Sequence, residues 1–228
     1  SVYYVTNGID FWNSDGTETG TVLIKDINPG SSSSISPTPF TPPTSNSGNK
    51  FADVSGTFYF VADDGTNGNE LWKSDGTNSG TILVKDIISG SGGSDPSNLT
   101  NVNGTLFFTV NDGSNGTELW KSDGTESGTV LVKDINSGGN SSNPANLTVF
   151  DNILYFSADD GSNGVELWKS DGTEAGTVLV DDINPGNASS NPSNFVEFNG
   201  ELYFSADDGS NGRELWGLTE GGTDLILG

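Results

Sequence analysis

The residues of this chain that could do chemistry are carboxylates and amides recurring at one spacing. The first set is Asp63, Asp64, Asn67 and Glu70, in the segment Asp63-Asp64-Gly65-Thr66-Asn67-Gly68-Asn69-Glu70. The pattern returns with Asp112, Asn115 and Glu118, then with Asp159, Asp160, Asn163 and Glu166, and last with Asp207, Asp208, Asn211 and Glu214. Calcium takes about six to eight oxygen ligands from carboxylates, amides and backbone carbonyls, and a tight glycine-bearing loop rich in Asp, Asn and Glu supplies several of them. These residues are therefore candidate calcium ligands, although their spacing is not that of an EF-hand loop. The competing reading is structural: paired Asp and Asn-Gly build a solvated hairpin turn, with the Glu exposed on the following strand. The first unit lacks the loop, because Val5-Thr6-Asn7-Gly8-Ile9-Asp10 runs straight into Phe11-Trp12, so at most four such sites exist.

Other chemistry is closed by composition. With no His and no Cys, the Ser-His-Asp, Cys-His and zinc-histidine arrangements cannot form. A carboxylate glycosidase needs two unlike acids a set distance apart in one asymmetric site. Near-identical units offer symmetry instead, and the first-type strands carry Glu197 only once, where Val149, Val102 and Val54 stand near the corresponding places. The expectation is a protein that is not an enzyme. Repetition suits multivalent binding, in which equivalent weak sites on a rigid frame raise avidity.

The elements that position these loops follow from the tryptophans. Trp72, Trp120, Trp168 and Trp216 stand 48 residues apart and Trp12 stands 60 before the first of them, which makes the chain a fivefold repeat. In one period, Asn194-Phe195-Val196-Glu197-Phe198 alternates, Asn199-Gly200 signals a type I′ turn, and Glu201-Leu202-Tyr203-Phe204-Ser205 returns. The acidic loop leads to the Trp-bearing strand, and a Ser-Asp-Gly-Thr turn leads to a fourth strand such as Thr177-Val178-Leu179-Val180. No segment holds a helical period long enough for a helix. The sequence predicts an all-β fold, a five-bladed β-propeller of four-stranded antiparallel blades, one inner strand short because the chain opens on a second-type strand at Val2-Tyr3-Tyr4-Val5. Long Asn/Pro/Gly-rich links such as 184–193 would cross from the outer strand of one blade to the inner strand of the next. A single domain over 1–228 is expected, with an irregular Pro/Ser-rich insertion at 31–50 and a parent chain longer than this one.

Two roles are open to Trp72, Trp120, Trp168 and Trp216. They can fill the wedge between adjacent sheets with the indole N–H on a carbonyl, or stack on sugars as ligand-binding platforms. In the Ser-Asp-Gly-Thr turn, Asp caps its own turn, Gly takes positive φ and Thr begins the next strand.

Charge limits the partners. The chain carries 31 Asp plus Glu against 8 Lys plus Arg, a net charge of −23, which repels phosphate backbones and anionic bilayers. Nucleic acid is excluded as an expected partner, and no apolar stretch is long enough to insert into a membrane as a helix. Glycans, or other surface or matrix proteins, fit better, as does membership of a longer chain or a homo-oligomer.

The repeated word Glu-Leu-Trp-Lys-Ser-Asp-Gly-Thr occurs at 70–77, 118–125 and 166–173, with variants at 10–17 and 214–219. In this it resembles the bacterial ELWxxDGT-repeat family, over essentially the whole chain. The resemblance implies an exported, often cyanobacterial, surface or matrix protein of propeller type. It implies no particular biochemical activity. The function expected is a non-enzymatic extracellular binding or adhesion module with glycan recognition between blades and calcium-stabilised loops. The rival is a purely structural surface, matrix or filament module.

Overall fold

The computed structural model describes residues 10–30 and 49–218 in full, and the backbone of Val2–Thr6 and Leu225–Leu227. Of the Pro/Ser-rich insertion expected at 31–50, residues 31–48 lie outside the described residues. Among the described residues there is no helix; the elements are nineteen strands, grouped in antiparallel sheets. The first sheet has three strands in order, β1 (Val2–Thr6), β2 (Asp10–Ser14) and β3 (Val22–Asp26). The next four each have four strands in sequential order: β4 (Phe51–Val54), β5 (Thr57–Asp63), β6 (Asn69–Ser74) and β7 (Ile82–Lys85); then β8 (Ser97–Val102), β9 (Thr105–Asn111), β10 (Thr117–Ser122) and β11 (Val130–Lys133). The fourth holds β12 (Ala145–Phe150), β13 (Ile153–Asp159), β14 (Val165–Ser170) and β15 (Val178–Asp181), and the fifth β16 (Ser193–Phe198), β17 (Glu201–Asp207), β18 (Arg213–Leu218) and β19 (Leu225–Leu227). The first sheet thus has three strands among the described residues and begins on the strand that the sequence reads as second-type.

By Cα proximity the chain divides into two compact units, Ser1–Leu106 with Ser122–Thr129, and Phe107–Lys121 with Val130–Gly228. In the first, Phe11 of the β1–β3 sheet and Ile27 just after it meet Phe60, Ala62 and Trp72 of the β4–β7 sheet. The rings of Phe11 and Phe60 lie 4.7 Å apart and 5° from parallel. In the second, Phe150, Tyr155 and Leu167 of the β12–β15 sheet, with Ile183 of the loop that follows it, meet Leu202, Phe204, Ala206, Trp216 and Leu218 of the β16–β19 sheet. Each unit thus holds a layer made where one sheet lays its apolar face on the next.

Turn chemistry follows the sequence at most points. Asn199 (φ 53°) and Gly200 (φ 78°) both take positive φ between β16 and β17, as a type I′ turn requires, and Asn103 and Gly104 repeat this between β8 and β9. The Ser-Asp-Gly-Thr turn is larger than the sequence suggests. Asp171 Oδ1 accepts the Thr173 N–H at 2.8 Å and its hydroxyl at 2.7 Å, while the hydroxyls of Ser170 and Thr177 meet at 2.8 Å. Thr173 therefore does not begin the next strand; it anchors the turn, and β15 starts at Val178. Gly176 is required because a Cβ there would sit 2.1 Å from Asp171 Oδ1.

Gly176→Ala is expected to expel the Asp171 carboxylate from Thr173 and to lower stability by about 1 kcal/mol, a value discounted for the exposure of these bonds. In an Asp171→Ala background the same substitution should cost almost nothing. Urea unfolding of the four proteins of this cycle measures both, and additive effects would show that the carboxylate is not what the glycine accommodates.

Candidate functional site

The acidic loop joins the second strand of each four-stranded sheet to the third, and its Asp and Asn side chains close on themselves. Asp64 Oδ1 accepts the N–H groups of Thr66 and Asn67, both at 2.9 Å, and its Oδ2 accepts Asn67 Nδ2 at 2.8 Å. Asp63 Oδ1 accepts the Gly65 N–H at 2.7 Å. The arrangement recurs with Asp112 and Asn115, with Asp160 and Asn163, and with Asp208 and Asn211. Asp159 and Asp207 accept from Gly161 and Gly209 as Asp63 does from Gly65. Partial burial pushes the carboxyls of Asp64, Asp112 and Asp160 up, but the hydrogen bonds from the loop outweigh it and hold them below their ordinary value.

The glutamates point elsewhere. Glu70, Glu118 and Glu166 are completely buried, which corrects the expectation of an exposed strand residue. Each reaches into the crossing loop that follows its own sheet. Glu118 Oε1 accepts the Ser142 N–H at 2.7 Å, and its Oε2 accepts the Ser142 hydroxyl and the Ile135 N–H at 3.1 Å. Glu166 does the same with Ser190 and Ile183, and Glu70 with Ser94, Ile87 and Ile88. Burial raises the carboxyl of Glu118 above its ordinary value, opposed by the Ser142 and Ile135 donors and reinforced by the charge of Asp134. Glu214 is only partly buried.

The partners Ser94, Ser142 and Ser190 are the residues that sequence reasoning missed. Each lies 24 residues after its glutamate and just before an Asx-Pro pair, and that constant interval was the available signal. The same crossing loops hold Asp86, Asp134 and Asp182, each with one buried Oδ1 that accepts no hydrogen bond among the described residues.

The candidate calcium ligands thus separate into self-bonded Asp/Asn pairs and, Glu214 apart, glutamates committed to serine. Among the described residues no three acidic side chains are placed to hold a metal ion. The tryptophans are buried as well: Trp72, Trp120, Trp168 and Trp216 are 6–7% exposed, and Trp216 Nε1 donates to the Ala206 carbonyl at 3.2 Å. Lys25 stands 6.0 Å from the Trp72 ring centre and Lys133 stands 5.9 Å from that of Trp168. This places the indoles in the packing role. An open cavity of about 320 Å³ does exist in the second unit, lined by Asp151, Ile153, Tyr155, Lys169, Asp171 and Val178 among others.

No family model matches the chain, and no curated protein matches it. Among solved structures it is similar to a puromycin hydrolase, at 13% identity and a TM-score of 0.51, over 75% of this chain and 26% of that one. The chain thus spans about a quarter of the hydrolase, and at that identity the likeness concerns fold alone. An endo-1,4-beta-xylanase from Bacteroides thetaiotaomicron matches 78% of this chain and 70% of its own at 14% identity, and an alpha-L-arabinofuranosidase from Clostridium thermocellum matches 99% and 92% at 15% identity. Both have a TM-score of 0.33, too weak a likeness to bear on activity.

Glu118→Ala should cost about 3 kcal/mol or more, because the Ser142 N–H, the Ser142 hydroxyl and the Ile135 N–H would lose a buried acceptor, at about 1–3 kcal/mol for each donor left unmatched. A carboxyl raised in the folded state contributes stability that is complete below its ordinary value and is lost as pH rises through the folded value; Asp112, held low, runs the opposite way. The stability of the wild type relative to Glu118→Gln should therefore fall as pH rises from acid toward neutral. Denaturant unfolding at a series of pH values checks this, and a flat difference would mean that Glu118 titrates normally.

Proposed function

We propose that this chain is a non-enzymatic structural module of an extracellular bacterial surface or matrix, its five sheets being propeller-type blades, the count read from the sequence. The observation that supports it is that the groups singled out in the repeated loop and strand are occupied internally: Asp64, Asp112, Asp160 and Asp208 by their own loops, Glu70, Glu118 and Glu166 by serine, and Trp72 and Trp216 by packing against the neighbouring sheet. Lysines are occupied in the same way. Lys73 Nζ donates to the Gly124 carbonyl and Lys85 Nζ to that of Thr129; in the second unit Lys121 reaches Gly172 and Lys133 reaches Thr177. Each of these bonds ties a turn of the next repeat, so consecutive sheets are joined by charge-assisted bonds as well as by apolar packing.

The propeller reading rests on the first-type strands. In the first unit the Leu99 N–H donates to the Asn49 carbonyl at 2.9 Å and Asn101 Nδ2 to that of Asp53 at 3.0 Å; in the second, Asn146 Nδ2 donates to the Pro192 carbonyl at 3.1 Å. Neighbouring first strands that bond in this way are what blades converging on an axis require. Export to a surface or matrix follows from the resemblance to the ELWxxDGT-repeat proteins.

A second reading, glycan binding, is favoured by the Tyr155–Lys169–Asp171 cavity, which combines a ring edge with a cation and carboxylates. A glycan array run with and without chelator separates the two. For a structural module we expect no sugar retained, and a melting temperature that moves by less than about 3 °C on chelation, because the loop carboxylates already have their donors. A large drop on chelation would restore calcium to the loops. A retained sugar lost in Lys169→Ala would make this a lectin.

A further inference from the structure

An asparagine followed by glycine is open to attack by its own backbone, because glycine has no side chain to shield the N–H that attacks. Among the described residues six such pairs occur, beginning at Asn67, Asn103, Asn115, Asn163, Asn199 and Asn211. The fold treats them unequally. In the acidic loops each asparagine is held twice by the aspartate three residues before it: Asn163 donates its N–H and its Nδ2 to Asp160 at 2.9 and 2.8 Å. Asn67, Asn115 and Asn211 are held in the same way. These bonds fix the carboxamide that would be attacked. At Gly68, Gly116 and Gly164 the crossing loop crowds the other partner, since an added Cβ would strike its backbone.

The two hairpin pairs differ at the attacking nitrogen. The Gly104 N–H donates to Asn101 Oδ1 at 2.9 Å, as the Gly56 N–H does to Asp53 Oδ1 at 3.3 Å. In the β16–β17 hairpin Glu197 stands where Asn101 stands in β8, and among the described residues neither the Asn199 side chain nor the Gly200 N–H has a hydrogen bond. Both residues are exposed, and a Cβ added at Gly200 would meet nothing within 4 Å. Attack requires Asn199 to leave its left-handed conformation, φ 53°. That movement is confined to the tip beyond the Phe198–Glu201 pair, and local opening of this kind costs least at loop tips.

We infer that Asn199-Gly200 is a site of spontaneous modification, at which asparagine is converted to aspartate and isoaspartate with water as the co-reactant. The Gly200 nitrogen gives its proton to solvent base and bonds to Asn199 Cγ; the Cγ–Nδ2 bond breaks and ammonia leaves, closing a cyclic succinimide. Water then opens the ring. Entry at the side-chain carbonyl gives aspartate, and entry at the backbone carbonyl gives isoaspartate. Nothing is oxidised or reduced, and one negative charge is added to the −23 of the chain. Isoaspartate routes the main chain through the former side chain, so the two-residue turn no longer fits the register that pairs Phe198 with Glu201, and β16 loosens from β17. The inference is independent of the structural-module reading.

The folded 228-residue chain, held at mildly alkaline pH and digested at intervals for peptide mapping by mass spectrometry, gives the rate at each of the six pairs. Position 199 should convert at least roughly tenfold faster than Asn67, Asn115 and Asn163, which must first break their loop bonds. In denaturant the six rates should converge, because the local sequence is then all that differs. Two exchanges at exposed positions test the cause, with far-UV circular dichroism as the check on folding. Glu197→Asn supplies the acceptor for the Gly200 N–H and should slow position 199 toward the rate of Asn103, whereas Glu197→Val, which removes the charge alone, should not. Asn101→Ala frees the Gly104 N–H and should raise Asn103 toward the rate of Asn199. A native rate at 199 no greater than at Asn103 or at the loop pairs overturns the inference, as do rates that ignore both Glu197→Asn and Asn101→Ala.

Discussion

A carboxylate held out of water sets the length of this repeat. Glu118 on β10 is buried only because Ser142 and Ile135 bring donors to it, and both belong to the loop that carries the chain to the next sheet. Without those donors the buried charge would be untenable; without the charge the loop would have no fixed course over the sheet. The Ser142 carbonyl then accepts the N–H of Asp159, so the loop pinned by one repeat places the acidic loop of the next. Ser190 hands on the same connection to Asp207. Insertions between glutamate and serine would break this relay, which accounts for the unvarying interval of 24 residues.

With only 31% apolar residues the chain relies on polar order to an unusual degree. Each layer of the core is narrow, such as the Phe11–Phe60 stack or the group around Phe204 and Trp216. Between the layers, side chains bond to backbone: lysine to turn carbonyl, asparagine to the neighbouring strand, aspartate to its own loop. A single bond of this kind contributes modestly to stability, but leaving its donor or acceptor buried and unmatched is costly, so the set discriminates sharply against any other register.

Much of the fold was legible because strands and turns here are governed by local rules. Asn199-Gly200 and the alternation around it announce a hairpin, and the spacing of Trp72, Trp120, Trp168 and Trp216 announces the period. Glutamate was harder. A Glu beside acidic residues in sequence, as Glu70 is beside Asp63 and Asp64, reads as part of their cluster. Yet the strand turns its side chain to the opposite duty, and its partner Ser94 comes from a loop 24 residues further on, marked only by the constant interval and the Asx-Pro pair that follows. Sequence proximity could not show that separation, because it depends on which face of β6 the residue occupies and on where a distant loop returns. The tryptophans posed a milder form of the same problem: their type allowed two roles, and only burial against the neighbouring sheet chose between them.

Where a unit is copied several times, selection for packing acts on the shared residues, so a distinctive property has to arise from departures from the pattern. The first departure is at the second strand. Tyr59 sets its hydroxyl against Gly124 of the following turn, and Phe107 sets its ring edge against Gly172 at the same station. At Tyr155 the side chain instead lines the cavity with Lys169. The second departure is Phe11, which stands where later repeats have leucine and enlarges the first layer through its ring stack with Phe60. The third is the exposed Leu215, whose equivalents are buried in every earlier four-stranded sheet. The departures thus stand at both ends of the described repeats, with Phe11 in the first sheet and Leu215 in the last.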